Sequence, residues 1–349
     1  MAYTTINKST DHFNTKLYTG NGSTNAITGV GFQPDWTWIK NRSGSDSHSI
    51  YDAVRGVNKV LRSNNSDNEG TQTDGLTAFG TDGFTVGAAG SVNTNSNNFA
   101  AWNWKAGTGA GSSNTDGSIN TTSTSVNSAA GFSISTYTGY GGASTIGHGL
   151  GAVPKMIIVK KRSGASYDES WYVYHEALGN THTLGLNSTG VSSDVNVWND
   201  TTPTSSVFSV GNDSTNRSGN LFVAYCFAEK TGYSKFGSYK GNGNANGTFI
   251  YLGFKPAWFL AKRTDGSDHW TLWDSKRETK INPNDNVLFP SLNNAESASD
   301  TSYACDFLSN GIKWRGTSTG MNASGANYIY MAFAEAPLVG TNNIPATAR

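Results

Sequence analysis

Apolar residues in this chain come in short runs separated by Gly, Asn, Ser and Thr, the pattern of brief strands joined by polar turns. Trp36-Thr37-Trp38-Ile39-Lys40 puts Trp36 and Trp38 on one face of a strand. Met156-Ile157-Ile158-Val159 is apolar on both faces, which predicts a central strand. A second aromatic strand follows at Ser49-Ile50-Tyr51, at Trp171-Tyr172-Val173-Tyr174 and at Trp270-Thr271-Leu272-Trp273. Asp82-Gly83-Phe84-Thr85-Val86 and Asn310-Gly311-Ile312-Lys313-Trp314 read as tight turns leading into strands, matched by Val207-Phe208-Ser209-Val210. Closing strands are expected around Trp102–Trp104, Ala224–Phe227 and Tyr330–Phe333.

This succession runs through the chain three times. The first copy has Tyr18, Gly20, Gly22, Pro34, Trp36, Lys40 and Gly44; the second has Tyr137, Gly139, Gly141, Pro154, Lys160 and Gly164. The third has Tyr239, Gly241, Gly243, Pro256, Trp258, Lys262 and Gly266. In each copy a Lys stands six residues after the Pro and a Gly ten residues after it. Such spacing predicts a tandem array of three related units. The expected fold is all-β, with three β-sandwich units of jelly-roll or concanavalin/SPRY-like type. The boundaries are 1–106 for unit one with an N-terminal arm, 107–131 for a Gly/Ser/Thr/Asn-rich linker, 132–231 for unit two, and 232–349 for unit three with a C-terminal tail. As a flexible coil the linker would span roughly 25–30 Å. Units two and three are therefore expected to pack as a fixed pair, with unit one placed more independently.

Composition narrows the picture. Charged residues are only 14% of the chain while aromatics reach 12%, which suits strand-rich domains whose cores use Trp and Tyr and argues against wholesale disorder. Net charge is zero, so the basic stripe of a nucleic-acid binder is missing and no nucleic-acid partner is expected. No run is long and apolar enough for a membrane helix, and the start lacks the pattern of a signal peptide, so no membrane insertion is expected. Cys226 and Cys305 have no cluster-like spacing and are expected to be reduced.

Candidate chemistry is sparse. His12, His48, His148, His175, His182 and His269 form no zinc motif, and no metal or cofactor is expected. The Gly-x-Gly at Gly20 and Gly22 is followed by turn and strand residues, not the helix a phosphate site requires. Asp52, Glu176 and Asp274 recur after the second aromatic strand, with Arg55 and Arg277 three residues beyond the two aspartates. One acid per unit does not make the pair that glycoside cleavage needs, so these acids are expected to bind Arg or cap turns. Lys40, Lys160 and Lys262 are expected as strand-end charges with their stems on aromatic surface. Trp198, in an Asn- and Asp-rich loop, is the one candidate for stacking on a sugar ring, but with ten Trp in the chain a core position is the expected role and sugar stacking the alternative.

The repeated block resembles a family. Tyr18-Thr19-Gly20-Asn21-Gly22 and Gly31-Phe32-Gln33-Pro34-Asp35-Trp36-Thr37-Trp38-Ile39-Lys40-Asn41-Arg42 are similar to a repeat domain of tailed marine bacteriophages. Asp82–Gly87, Ala101–Lys105 and the ending from Phe333 to Arg349 fit the same pattern. The likeness is closest in unit one and loosest in unit two, where Met156 stands in place of the Trp. It implies a non-enzymatic virion protein, a fibre, knob or decoration subunit on tail or capsid, made in the host cytoplasm. It carries over no catalytic residue. The implied partners are other virion proteins, further copies of the chain (a homotrimer being the usual form of fibres) and a host surface glycan. The alternatives are a stand-alone lectin-like protein and, behind it, a polysaccharide depolymerase.

Overall fold

The computed structural model describes residues 3–164, 170–211, 213–280 and 282–339. Residues 340–349, on which the end of the expected C-terminal tail of unit three falls, including Ala346-Thr347-Ala348-Arg349, lie outside the described residues.

The first third of the chain forms β1 (Phe13–Thr19), β2 (Asn25–Thr28), β3 (Trp36–Asn41), β4 (Ser49–Asp52), β5 (Lys59–Arg62), β6 (Gly70–Thr71), β7 (Leu76–Gly80), β8 (Gly83–Val86) and β9 (Asn98–Trp104). The second third forms β10 (Ser123–Asn127), β11 (Phe132–Thr138), β12 (Ser144–Gly147), β13 (Met156–Lys161), β14 (Trp171–His175), β15 (His182–Gly185), β16 (Ser193–Asp194), β17 (Val207–Val210) and β18 (Leu221–Phe227). The last third forms β19 (Ser234–Lys240), β20 (Phe249–Tyr251), β21 (Phe254–Arg263), β22 (Thr271–Asp274), β23 (Cys305–Leu308), β24 (Gly311–Trp314) and β25 (Asn327–Pro337).

The chain is all-β in the sandwich manner, and one four-strand order occurs three times: β1-β9-β3-β4, β11-β18-β13-β14 and β19-β25-β21-β22. All neighbours in these main sheets are antiparallel. Each main sheet carries a smaller one on its outer face, β2-β8-β7, β12-β17 and β20-β24-β23. Between each pair of sheets lies a separate core. In the first third it holds Ile27, Ile39, Tyr51, Phe84 and Phe99.

The inner faces of all three main sheets meet in a single further core. Trp36, Trp38, Trp102 and Trp104 from the first third, Met156, Ile158, Tyr225 and Phe227 from the second, and Trp258, Leu260, Met331 and Phe333 from the third belong to it. This is why β3, β13 and most of β21 do not alternate between apolar and polar: alternate residues enter two different cores, and all six residues of β3 are buried. Ring contacts close the circle. Trp36 stacks on Tyr225 at 4.9 Å, Phe227 meets Phe333 at 6.1 Å, and Trp104 meets Trp258 at 5.5 Å.

Two expectations change here. The run 107–131 is not a coil between independent bodies. It supplies β10, which pairs with β11 as the outer edge of the second sheet, and Ser112 bridges to Thr124. Its start is fastened by the Asp35 carboxylate, which accepts N–H bonds from Ala106, Thr108 and Gly109 at 2.7, 3.0 and 2.8 Å. Ser and Thr bury little, but backbone pairing on an open sheet edge orders them. Unit one is also not set apart, because it contributes four tryptophans to the shared core. The N-terminal arm likewise leaves its own unit. Thr4 Oγ1 donates to the Thr231 carbonyl at 2.7 Å, Tyr3 Oη donates to the Gly253 carbonyl at 2.7 Å, and Ile6 enters the common core.

Pro34 and Pro154 each stand two residues ahead of a strand, whereas Pro256 lies within β21. The pairing of β21 with β25 shifts register on both sides of Pro256, so the bulge absorbs the missing N–H. No helix among the described residues is long and apolar enough to cross a membrane.

Candidate functional site

The recurring lysines are not strand-end surface charges. Lys40, Lys160 and Lys262 are wholly buried, and each reaches from its own main sheet into a loop of a neighbouring third. Lys40 Nζ donates to the carbonyl of Asn293 at 3.2 Å, Lys160 Nζ to that of Ser66 at 2.7 Å, and Lys262 Nζ to that of Thr189 at 3.3 Å. The carbonyls of Asn41, Gly44 and Asp46 also stand within hydrogen-bond distance of Lys40 Nζ, so its three N–H groups are shared among four acceptors. Burial pushes Lys40 and Lys262 down to about 8, with Asp46 and Asp268 respectively opposing the shift.

Two residues beyond each lysine the backbone repeats the reach. The carbonyls of Arg42, Arg162 and Thr264 accept from the N–H groups of Glu296, Glu69 and Ser192. Both sets join the same pairs of thirds, the lysine-bearing strand always reaching the same neighbour: first third to last, second to first, last to second, with the lysine donating outward and the neighbour's N–H donating back. The indoles of Trp171 and Trp270 follow that sense, donating to the carbonyls of Arg62 at 2.9 Å and Gly185 at 2.8 Å. His48 holds the place of those two indoles; its Nδ1 accepts from Trp38 Nε1 at 3.0 Å, and burial pushes it well below the ordinary histidine range.

The acids form a second tier. Asp274, wholly buried, accepts from Trp102 Nε1 at 2.9 Å and from Arg277 Nε at 2.5 Å, and Arg277 continues to Glu296, which Arg42 grips at 2.6 Å. Burial alone would raise the Asp274 carboxyl, but Arg277 holds it below the usual carboxylate range. Asp52 repeats this arrangement. It is ion-paired to Arg55 and accepts from Tyr225 Oη at 2.7 Å, while Arg55 continues to Glu69, which Arg162 grips at 2.8 Å.

Glu176 is not the third member of this set. Trp36 pairs with Asp52 and Trp258 with Asp274, but Met156 pairs with His175. Glu176 lies one residue on, at the surface, in an ion pair with Lys155. His175 Nε2 donates to the Tyr330 carbonyl at 3.1 Å while its Nδ1 accepts from the N–H of Ala177 at 3.2 Å, which assigns the tautomer. Burial pushes it down to about 4.

The repeated tyrosines do a different job at the outer ends. Tyr18, Tyr137 and Tyr239 donate to the carbonyls of Val92, Thr215 and Met321 at 2.6, 2.7 and 2.8 Å. Beside each stands an asparagine missed in the sequence, Asn93, Asn216 or Asn322. Its Oδ1 accepts from the N–H of Asn21, Tyr140 or Asn242 respectively, at 3.0, 2.9 and 3.0 Å. The signal was present: each asparagine precedes an aromatic of the closing strand (Phe99, Phe222 or Tyr328) by six residues. Gly20, Gly139 and Gly241 are required by close approach, because a β-carbon at each would fall within 2.3 Å of a carbonyl oxygen.

Trp198 does not face solvent. It is 1% exposed and meets Tyr174 edge-on at 5.9 Å inside the second outer core, so it has no face to offer a sugar. Cys226 and Cys305 are buried, unbridged thiols, which burial raises well above their ordinary range. Among the described residues no group of three or more His, Cys, Asp or Glu is placed to hold a metal ion.

The side chains that recur through the chain are thus the ones that hold three sheets together. No curated protein matches the chain. One family model matches residues 8–337, across all three sheets in a single span, and the chain belongs to that family, the domain of unknown function DUF7483.

Proposed function

We propose that this chain is a non-enzymatic structural and adhesive protein of a phage virion, a rigid body that displays loops toward a host surface or neighbouring subunits. The observation that carries this reading is where the repeated charges go. Lys40, Lys160, Lys262, Asp52, Asp274, Arg55 and Arg277 are buried in contacts between sheets, which leaves the outward loops and small sheets to meet a partner. Asp52 and Asp274, which a depolymerase reading would use, are spent on Arg and on an indole or phenol donor. Closure of three sheets around one core gives a single chain the stiffness that fibres reach by trimerising.

Immunogold labelling of purified particles tests the reading: label on tail or capsid is expected, and its absence from intact particles would sink the virion assignment. Light scattering on the isolated protein tests the expected homotrimer. A second reading, a stand-alone lectin-like protein, is favoured by the exposed aromatic rings Tyr3, Phe249 and Tyr251 on the last third.

A further inference from the structure

The three small sheets share a plan but not an outer surface. Ile27, Ile146 and Ile250 occupy matching places in their edge strands, each opposite an apolar residue of the next strand: Phe84, Phe208 and Ile312. All three point inward. The residues on either side of them differ between the thirds: Ala26 and Thr28 are exposed in the first, Thr145 is half-buried and Gly147 is covered by Asn114 in the second, and Phe249 and Tyr251 are exposed in the last. Phe249 is 43% exposed and Tyr251 49%. With Tyr3, at 38%, they account for three of the four large exposed aromatics among the described residues; the fourth, Tyr140, belongs to the second third.

These rings are held in place. Tyr3 is anchored by its hydroxyl on the Gly253 carbonyl, and a β-carbon on Gly253 would come within 2.5 Å of that hydroxyl. The Lys235 ammonium lies 5.2 Å from the centroid of the Tyr251 ring. Phe249 leans on Gly311, where a β-carbon would stand 3.0 Å from the ring. Lys313 sits directly opposite Phe249 on β24, and Asp306, the acid across from it on β23, is engaged by Arg315. The face therefore combines fixed apolar rings with two ammonium groups, Lys235 and Lys313, and the carboxylate opposite Lys313 is already paired with Arg315.

We propose that this outward face of the last third binds an anionic polysaccharide. The C–H faces of pyranose rings stack on Phe249 and Tyr251, which stand about 6–7 Å apart along the strand. Uronate or other acidic groups pair with Lys235 and Lys313. This rests on the adhesive reading above and names its ligand class. Charge complementarity selects an acidic glycan over a neutral one or over a second copy of this chain.

Electrophoresis of the full chain through gels cast with polygalacturonate or alginate, against dextran as the neutral polymer, tests it. Retardation by the acidic polymers is expected, weakening as salt is raised. Phe249→Ala with Tyr251→Ala should weaken it by about tenfold. The Lys235→Gln and Lys313→Gln pair should weaken retardation while leaving the aromatic face intact. An unchanged melting temperature in each variant shows that folding is not the cause. Three outcomes would overturn the proposal: equal retardation of variant and wild type, retardation by dextran alone, or none by either acidic polymer. Light scattering that finds the wild type associated and the aromatic variant monomeric would also overturn it, in favour of an interface between copies. Immunogold labelling is independent of all these arms, so loss of the glycan site and loss of the virion reading are separable results.

Discussion

The seam between the first and last thirds and the seam between the last and second thirds solve one problem in two ways. At the first, Trp102 offers an indole N–H from the closing strand, and the neighbour answers with Asp274 backed by Arg277. At the second, the matching place in the closing strand is Met331, which has no proton to give. There the aspartate is replaced by His175, which turns to the backbone carbonyl of Tyr330. The seam between the second and first thirds, with Tyr225 on Asp52, follows the charged version. Donor and acceptor thus change together on opposite sides of a seam, as burial demands, since an unmatched partner on either side would be left unsatisfied.

The severest challenge to that pairing is Asp274→Ala, which leaves the Trp102 N–H and part of the Arg277 charge unpaired. A loss of about 3–5 kcal/mol is expected in urea denaturation, because breaking a buried pair costs more than the pair is worth. Acid should expose the histidine seam. His175 is held at about 4 in the folded chain against an ordinary value of 6.5, so below pH 6.5 the unfolded chain takes up a proton that the folded one refuses. Stability should fall as pH drops from 6.5 to 4, by on the order of 3 kcal/mol, and level off with respect to this group below that. His48 shifts the same way, so comparing the Tm profile of His175→Gln with wild type isolates the His175 share. A profile of the same slope in both would break the comparison.

Tyr225→Phe removes one bond to a charged acceptor and should cost about 1.5–3 kcal/mol. Met331→Leu, at the matching place on the other seam, should cost under about 1.5 kcal/mol because no polar partner depends on it. Equal losses would argue against the proposed exchange of donor and acceptor. Smallest of all, Arg162→Met loosens the partly exposed grip on Glu69, an effect of about 1 kcal/mol that shrinks in high salt.

Much of each sheet was legible in the sequence. Pro34 and Pro154 mark strand starts, and the paired apolar faces of Met156–Val159 announce a strand buried on both sides. The matched spacing of Tyr18, Tyr137 and Tyr239 from their prolines reflects the same strand order in each third. What sequence did not convey is contact between thirds. Spacing reports what is near along one strand, so Lys40, Lys160 and Lys262 read as surface charges when their ammonium groups cross to a neighbouring sheet. Glu176 was aligned with the aspartates because it is acidic; only the register of β14 against β13 shows that His175 fills that place. Trp198 sits among polar neighbours, but the weight of ten Trp on core positions holds for it, and the chain folds it against Tyr174. The run 107–131 looked unstructured because a polar edge strand such as β10 gains its order from pairing and buries little.

The shared aromatic core also governs how the protein comes apart. Withdrawing any one sheet would bare Trp36, Trp258 or Phe227 to water along with the neighbours that lean on it. A protease should therefore release no stable third, and calorimetry should record one melting event where three beads on a string would give several.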